Sequence, residues 1–121
     1  MLRNVDRLSI SEIKNQLADL AARARSFDLK PTDYQGQTFT VSSLGSHGGR
    51  FFTPIIQWPD VAILGICKTY QEPYIKNGML SQRLCLPLSL SYDHRVIDGG
   101  QAARFTQSLI RYLEDFKKVL I

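Results

Sequence analysis

Residues 61–70 (VAILGICKTY) form a nearly continuous apolar run in the middle of the 121-residue chain. A strand that faces water on one side alternates apolar and polar residues, whereas a strand covered on both faces does not. The run therefore predicts a strand that is covered on both faces, and the other elements are interpreted around it.

An Asn-Gly pair at residues 77–78 predicts a β-hairpin between residues 73–76 and residues 79–83. Both residues tolerate the positive φ that two-residue hairpin turns require. Apolar residues alternate with small or partly polar ones over residues 84–92. The returning strand is therefore predicted to be long, with one apolar face, and His94 follows just past its end.

Residues 38–42 (TFTVS) are rich in β-branched and aromatic side chains and predict a strand, which ends at a glycine-containing loop, residues 44–49. Residues 51–56 are apolar, but Pro54 and Pro59 interrupt this region. Proline has no N–H for a sheet hydrogen bond. We therefore predict packed irregular structure or an edge segment there.

The sequence Ser9-Ile10-Ser11-Glu12 has the capping-box pattern, which predicts that a helix begins there. The helix is predicted to end before Lys30-Pro31, and residues 32–36 to form a short turn or one-turn helix closed by glycine. Apolar residues at helical steps of three and four give the helix one apolar face. They are Ile10, Ile13, Leu17, Leu20, Ala24 and Phe27.

A second helix is predicted from Asp98, with this aspartate as its N-cap. Its apolar stripe consists of Ala102, Phe105, Leu109, Tyr112, Leu113, Phe116, Val119 and Leu120. The apolar residues 119–121 are expected to dock either on a partner subunit or on their own domain. Together the elements predict one α+β domain in which helices flank a mixed or antiparallel sheet.

Composition excludes two classes of partner. The 15 Lys and Arg against 11 Asp and Glu give a net charge of +4, and they are scattered, so no nucleic acid is predicted. No run is long enough to span a bilayer, and residues 1–7 lack a signal core, so no membrane is predicted.

Cys67 and Cys85 lie in apolar strand-like runs, where reduced, buried thiols are expected. They indicate a reducing compartment, so the protein is predicted to be cytoplasmic. Neither cysteine has a close ligand spacing to His47 or His94, so no metal site is predicted.

The main candidate for chemistry is His94, in residues 91–100 (SYDHRVIDGG), which connect the predicted long strand to the second helix. Histidine has an unperturbed pKa of about 6.5. A histidine that two rigid elements hold in place can therefore act as a general base at neutral pH.

Residues 93–99 (DHRVIDG) resemble the catalytic domain of the dihydrolipoamide acyltransferases, the core components of 2-oxoacid dehydrogenase complexes. Four other stretches resemble this family in the same order and with similar spacing: residues 3–6 (RNVD), 36–45 (GQTFTVSSLG), 53–56 (TPII) and 61–65 (VAILG). The resemblance covers essentially the entire chain. Residues 1–121 are therefore expected to be the C-terminal portion of the acyltransferase catalytic domain, with the N-terminal part of that domain missing.

The resemblance implies a two-layer α/β sandwich like that of chloramphenicol acetyltransferase. It also implies a homotrimer that can assemble further into a cubic or dodecahedral core. Other subunits of the 2-oxoacid dehydrogenase complex would bind through regions not in this chain, which also lacks the lipoyl domain. The implied substrates are coenzyme A and lipoamide, and the location would be the mitochondrial matrix if the parent protein is eukaryotic.

The matched histidine is the general base of the family, so the resemblance implies this role for His94. It would take the proton from a coenzyme A or dihydrolipoamide thiol, whose thiolate attacks the acyl thioester. The family stabilises the resulting oxyanion with a serine or threonine hydroxyl. The matching residue is Ser42, and the adjacent Ser43 is an alternative.

Asp98 matches a family position that is aspartate or asparagine, and it is expected to cap the helix and brace the loop. The family site lies between subunits of the trimer. His94 and Ser42 are therefore expected to meet across an interface, and the residues that bind coenzyme A are not identified.

Three functions stay open. The leading one is exchange of an acyl group between dihydrolipoamide and coenzyme A, and residues 42–45 and 51–52 are more similar to pyruvate dehydrogenase complex enzymes, which favours acetyl. The second is a truncated, non-catalytic oligomerisation core, because the missing segment would supply part of the acyl and coenzyme A pockets. The third is a chloramphenicol-type acetyltransferase, which shares the histidine motif but not the other matched stretches.

Overall fold

The computed structural model describes residues 1–116, apart from the side chain of Ser46. The chain divides into two compact units, of which the first comprises residues 1–37 and the second begins at Thr38. That residues 1–121 are the C-terminal portion of one catalytic domain stays a prediction. Residues 119–121, predicted to dock on a partner or on their own domain, lie outside the described residues.

The first unit is built around helix α1, Ile10–Arg25. Its predicted capping box is confirmed. The backbone N–H of Glu12 donates to Ser9 Oγ at 3.3 Å, and the backbone N–H of Ser9 donates to the Glu12 carboxylate at 2.7 Å. The hydrogen bonds from Ser9 also lower the pKa of Glu12, because they stabilise its charged form.

The predicted apolar stripe of α1 is wrong at Phe27. The helix ends at Arg25, and Phe27 has a left-handed backbone with a φ of 57°. The backbone N–H of Asp28 donates to the carbonyl of Arg23 at 2.9 Å, a bond that closes a helix end around a left-handed residue. Phe27 therefore lies outside the helical face, and it is 96% exposed.

A 3-10 turn at Pro31–Asp33 follows α1 and confirms the predicted short turn, and the glycine after it, Gly36, has a φ of 82°. The guanidinium of Arg23 donates to both carboxylate oxygens of Asp33, at 2.9 and 3.1 Å. These bonds lower the pKa of Asp33 and tie the turn to the helix.

The second unit contains a three-stranded mixed sheet with the strand order β1-β2-β5. Strand β1 is Thr40–Ser43, β2 is Ala62–Ile66 and β5 is Leu88–Tyr92. Strand β1 is parallel to β2, and β5 is antiparallel to it. A separate two-stranded sheet pairs β3, Tyr70–Lys76, with β4, Met79–Cys85.

Strand β2 is the buried centre of this unit, as its apolar sequence predicts. It has a neighbouring strand on each edge. The strand is shorter than the apolar run, because Lys68 and Thr69 are exposed and lead into β3. Most of the buried apolar residues belong to β2 or lie next to it: Ala62, Ile63, Leu64 and Cys67.

The predicted hairpin is confirmed, because Asn77 and Gly78 connect β3 to β4 with φ of 52° and 79°. The predicted long returning strand is wrong. It is interrupted before Leu88, so that β4 and β5 belong to different sheets. Pro87 has no N–H to continue a ladder, and its carbonyl accepts from the backbone N–H of Cys67 at 3.2 Å.

Both cysteines are free thiols. Cys67 is buried just beyond β2, as predicted. Cys85 was expected to be buried but is only half-buried, because it belongs to the two-stranded sheet. Its Sγ lies 3.5 Å from the carboxylate of Glu72.

Side chains of β5 alternate between the two faces of the sheet, so that Leu90 and Tyr92 point away from the face that carries Ser89 and Ser91. Helix α2, Gly99–Glu114, contacts β5. The predicted α+β fold with a mixed sheet is thus observed. No helix within residues 1–116 is long and apolar enough to cross a membrane.

Residues 51–60 form neither helix nor strand, which confirms the predicted irregular structure. The segment ends at Asp60, which is 7% exposed. Thr40 Oγ1 donates to Asp60 Oδ2 at 2.5 Å, and the backbone N–H of Asp60 donates to the carbonyl of Gln57 at 2.9 Å. These bonds hold the segment against β1.

Candidate active site

The loop between β5 and α2 carries His94. The backbone N–H of Asp93 donates to the carbonyl of Val61 at 2.8 Å, which ties the loop to the start of β2. The backbone N–H groups of Val96 and Ile97 donate to the carbonyl of Asp93 at 3.0 and 2.9 Å, which closes the loop into a turn. The backbone position of His94 is therefore defined on both sides.

Asp93 and Arg95 form an ion pair on either side of His94. Arg95 Nη2 lies 2.6 Å from Asp93 Oδ2 and its Nε lies 2.9 Å from Oδ1, and the backbone N–H of Arg95 donates to Oδ1 at 3.0 Å. These hydrogen bonds, the side-chain ones foremost, lower the pKa of Asp93 to about 2. The pair is therefore fully charged at neutral pH and braces the loop.

His94 is exposed, and its imidazole has no hydrogen-bond partner among residues 1–116. The ring of Tyr92 lies beside it, with ring centroids 5.5 Å apart and ring planes inclined by 41°. Tyr92 borders the imidazole on one side, and the residue is otherwise exposed. A general base needs a nitrogen that a substrate can reach and that is held in a defined place.

Asp98 is the N-cap of α2, as predicted. Its Oδ1 accepts from the backbone N–H of Gln101 at 2.8 Å, and its own backbone N–H donates to Gln101 Oε1 at 3.0 Å. This capping box fixes the end of the His94 loop at the start of α2.

The side chains of Ser42 and Ser43 on strand β1 lie on opposite faces of the sheet, because successive side chains of a strand alternate between the faces. Ser43 Oγ accepts from the backbone N–H of Gly45 at 3.1 Å, so it takes part in the following turn. Ser42 is half-buried, and within the part of the chain that the structure describes its hydroxyl has no hydrogen-bond partner. Of these two serines, Ser42 is the one whose hydroxyl takes no part in a hydrogen bond to the described residues.

Ser42 and His94 lie toward opposite ends of the three-stranded sheet. The register pairs Ser42 with Gly65 and Gly65 with Ser89, and Tyr92 is three residues further along β5. With about 3.4 Å per residue and about 4.8 Å between strands, the Cα atoms of Ser42 and Tyr92 are about 14 Å apart, and His94 lies beyond Tyr92. A hydrogen bond needs about 3 Å between heavy atoms, so one chain does not bring the two side chains together.

Two features of this site were missed from the sequence. They are the Asp93–Arg95 pair and the ring contact of Tyr92 with His94. An acidic and a basic residue that flank a histidine are a sequence signal for the ion pair. The two-residue spacing of Tyr92 and His94 is a sequence signal for the ring contact. Within residues 1–116, no group of three His, Cys, Asp or Glu side chains could hold a metal ion.

A family model described as the 2-oxoacid dehydrogenases acyltransferase (catalytic domain) matches residues 1–121. The chain belongs to this family. The family membership confirms the resemblance that the motif at residues 93–99 and the four other stretches predict.

Named relatives point to one branch of the 2-oxoacid dehydrogenase acyltransferase family. The chain is 47% identical over 121 residues to the dihydrolipoyllysine-residue acetyltransferase component of pyruvate dehydrogenase complex from Cupriavidus necator, and it covers 22% of that protein. It is 48% identical over 121 residues to the component of the same name from Azotobacter vinelandii, and it covers 19% of that protein. The chain thus spans about a fifth of the length of these relatives.

Solved structures confirm the predicted fold class. A structure of the Azotobacter vinelandii dihydrolipoamide acetyltransferase, on the role of a serine, a histidine and an asparagine in its catalytic mechanism, has a TM-score of 0.93 and 49% identity, with 99% of this chain and 49% of that chain covered. The atomic structure of the cubic core of the pyruvate dehydrogenase multienzyme complex has a TM-score of 0.93 and 48% identity, with the same coverage.

Proposed function

We propose that this chain carries the general base and the oxyanion donor of an acyltransferase that exchanges an acetyl group between dihydrolipoamide and coenzyme A. The observation that carries the proposal is that two polar side chains are held in place without a hydrogen-bond partner. His94 and Ser42 are each positioned by hydrogen-bonded backbone, yet the imidazole and the hydroxyl have no partner among the described residues. Polar groups that are held in place and left uncommitted are available to a substrate.

His94 acts on the thiol. A nitrogen of the neutral imidazole accepts the proton of coenzyme A, because a free thiol with a pKa of about 8.5 supplies little thiolate at neutral pH. The sulfur forms a C–S bond to the carbonyl carbon of acetyl-dihydrolipoamide, and the carbonyl electron pair moves to oxygen. On collapse the original C–S bond breaks, and His94 returns the proton to the leaving sulfur. The products are acetyl-coenzyme A and dihydrolipoamide.

Ser42 acts on the oxygen. Its hydroxyl donates a hydrogen bond to the oxyanion of the tetrahedral intermediate, where the negative charge develops. A single donor of this kind contributes about 100- to 1,000-fold to kcat. Ser43 is less suited to this role, because its side chain lies on the opposite face of the sheet and is held in the following turn by the N–H of Gly45.

The spacing of the residues supports the assignment. The serine, histidine and asparagine of the Azotobacter vinelandii enzyme are separated by 52 and 4 positions. In this chain His94 follows Ser42 by 52 positions, and Asp98 follows His94 by 4. Asp98 departs from the asparagine, but both residues offer a side-chain oxygen for the N–H of Gln101. Asp98 is therefore a positioning residue in this proposal.

The proposed site forms between subunits. The separation of about 14 Å between the Cα atoms of Ser42 and Tyr92 prevents one chain from completing the site. In a homotrimer, His94 of one subunit and Ser42 of its neighbour complete it, and a monomer is inactive. The similarity to the cubic core of the pyruvate dehydrogenase multienzyme complex supports such an assembly.

Subunit mixing tests the proposal directly. His94→Ala and Ser42→Ala variants are each expected to transfer acetyl from acetyl-coenzyme A to dihydrolipoamide at least about 100-fold more slowly than the wild type. Dissociating the two variants and reassembling them together creates interfaces with an intact histidine on one side and an intact serine on the other. With random mixing, roughly a quarter of the sites regain both groups, and the same fraction of activity returns.

The controls separate the possible failures. Each variant dissociated and reassembled alone must stay inactive, and light scattering must show an oligomer in every sample. Undiminished turnover in His94→Ala contradicts the proposed base. Loss of activity in both variants without any recovery on mixing contradicts the shared site and leaves the two residues within one subunit.

A second candidate is a non-catalytic assembly role. The observation that favours it is the apolar face of the β3–β4 hairpin, where Ile75, Leu80 and Leu84 are each at least 70% exposed. Such a face is typical of a surface that another chain covers. A trimer without acetyl transfer, in the longest natural form of the protein, favours this role over catalysis. Membership of the 2-oxoacid dehydrogenase acyltransferase family argues against the chloramphenicol-type alternative.

A further inference from the structure

Asp60 is a buried carboxylate with a single side-chain hydrogen bond among the described residues. It lies at the end of the irregular segment, just before β2, and is 7% exposed. Its Oδ2 accepts from Thr40 Oγ1 at 2.5 Å, whereas its Oδ1 is buried and has no hydrogen-bond partner within residues 1–116. Burial of a carboxylate is costly unless it is hydrogen-bonded, and a hydroxyl that donates to a carboxylate forms a short, strong bond. The Thr40–Asp60 bond is therefore a firm connection between β1 and the residues that precede β2.

Thr40 lies on the same face of β1 as Ser42. Residues two positions apart in a strand point to the same face, and the ladder is regular here, because Thr40 pairs with Ile63 and Ser42 with Gly65. The Cα atoms of Thr40 and Ser42 are about 7 Å apart. A side-chain bond that fixes the direction of Thr40 therefore also fixes the direction in which Ser42 points.

The place of β1 in the sheet makes such a bond important. The strand is four residues long, and within the described part of the chain it has a neighbouring strand on one side only. Its ladder bonds to β2 lie in the plane of the sheet, so they resist sliding of β1 more than rotation about its own axis. Side chains stand roughly perpendicular to a sheet. The bond from the Thr40 side chain to Asp60 therefore resists the rotation.

From this arrangement we infer that Thr40 and Asp60 are positioning residues, which hold the Ser42 hydroxyl in the direction of the oxyanion. This role rests on the proposed function, because it takes Ser42 as the oxyanion donor. Reacting groups must be held within about 0.5 Å and 10–20° of the productive geometry. A serine oxygen lies about 2.4 Å from its Cα atom, so a rotation of β1 by about 15° moves Ser42 Oγ by about 0.6 Å. Such a rotation is enough to weaken the donated hydrogen bond.

A double-mutant cycle separates positioning from a general loss of stability. Thr40→Val and Thr40→Ser are prepared in the longest natural form of the protein, each with Ser42 and with Ser42→Ala. Acetyl transfer from acetyl-coenzyme A to dihydrolipoamide is measured. With Ser42 present, Thr40→Val is expected to lower kcat about tenfold and to leave KM within about twofold of wild type. Thr40→Ser keeps the donating hydroxyl, so its kcat should stay within about twofold of wild type. In the Ser42→Ala background, Thr40→Val should cause no further loss, because the hydroxyl that it positions is absent.

Thr106→Val is the matched control. Thr106 is half-buried like Thr40, and its Oγ1 donates to the carbonyl of Ala102 at 2.8 Å within α2. This variant loses a threonine hydroxyl bond outside β1, so its kcat should equal that of wild type. Thr40→Val also leaves the Asp60 carboxylate without its Thr40 donor, which destabilises the chain. The double variant Thr40→Val/Asp60→Leu removes both partners, leaves no unpaired buried charge, and should show the same loss of kcat.

The outcomes separate the positioning role from the proposed function. If Ser42→Ala alone slows acetyl transfer about 100-fold or more, the proposed oxyanion donor holds. The positioning role alone is then overturned by unchanged kcat in a folded Thr40→Val, or by a loss of kcat that is as large with Ser42→Ala as with Ser42. If wild type transfers no acetyl group, or Ser42→Ala leaves kcat unchanged, the proposed function fails and the positioning role fails with it. Circular dichroism and light scattering establish that each variant is folded and assembled.

Discussion

The guanidinium of Arg95 donates to both carboxylate oxygens of Asp93, with 2.6 Å from Nη2 to Oδ2 and 2.9 Å from Nε to Oδ1. Two residues that flank His94 are thereby joined to each other. A bidentate pair of this kind fixes direction as well as distance. It constrains the His94 loop without contacting the imidazole.

Replacing Asp93 with asparagine is expected to lower stability at neutral pH but not in strong acid. The pKa of Asp93 is lowered from 3.8 to about 2, so its contribution is fully present above about pH 4 and disappears as the pH falls toward 2. The gap in the free energy of unfolding between wild type and Asp93→Asn should therefore be constant from pH 7 to pH 5 and narrow below pH 4. Urea unfolding at a series of pH values measures it.

The matched control for Asp93 is Asp28→Asn, which neutralises an exposed carboxylate in the first unit. The difference in the free energy of unfolding between wild type and Asp28→Asn should not follow the same pH profile. A gap for Asp93→Asn that is as wide at pH 2.5 as at pH 7 would mean that the ion pair with Arg95 does not stabilise the folded chain in solution.

Ser42→Ala and Ser43→Ala are expected to have opposite effects. Loss of the uncommitted Ser42 hydroxyl should lower kcat about 100- to 1,000-fold and leave the melting temperature close to that of wild type. Loss of Ser43 Oγ removes the bond to Gly45 N–H and should cost about 1 kcal/mol of stability, with kcat within a few-fold of wild type. Acetyl transfer and thermal unfolding of both variants measure the contrast, and a larger loss of kcat in Ser43→Ala would reassign the oxyanion donor.

The local elements of the fold were predictable because their signals lie within a few residues. The capping box at Ser9, the N-cap at Asp98 and the hairpin turn at Asn77 each depend on four or fewer consecutive residues, and all three are observed. The central strand was predictable from its unbroken apolar sequence.

The returning strand was not predictable by the same means. The alternation of apolar and polar residues continues through Pro87, although the strand itself is interrupted there. The sequence also does not show that β5 pairs with β2 rather than with β3. The distance between Ser42 and His94 depends on the same nonlocal register. For that reason the sequence alone indicated both residues but not that they lie toward opposite ends of one sheet.

Asp98→Ala is expected to destabilise the chain by about 1 kcal/mol, because it removes the oxygen that accepts the N–H of Gln101. Asp98→Asn keeps such an oxygen and should be within a few tenths of a kcal/mol of wild type. Ser9→Ala, at the other helix cap, provides a control with a similar loss of stability. If Asp98 positions the loop, kcat falls in Asp98→Ala and not in Ser9→Ala. Equal loss of kcat in Asp98→Ala and Asp98→Asn would instead indicate that the carboxylate charge acts on the reaction.

Gly65→Ala tests the contact between the central strand and the Phe52 ring. The added methyl group would lie 2.7 Å from Phe52 Cζ, so the ring or the strand must move. Overpacking of this kind costs about 1–3 kcal/mol. Gly65→Ala is therefore expected to unfold at a lower urea concentration than wild type. Adding Phe52→Leu to this variant should recover part of the lost stability, because leucine lacks the ring atoms that meet the new methyl group.

Gly78→Ala is the matched control. No atom lies within 4 Å of a Cβ added to Gly78, so the lost stability of this variant arises only from its φ of 79°. Phe52→Leu should not rescue Gly78→Ala. A Gly65→Ala variant whose loss is the same with phenylalanine and with leucine at residue 52 would show that the ring does not press on the strand in solution.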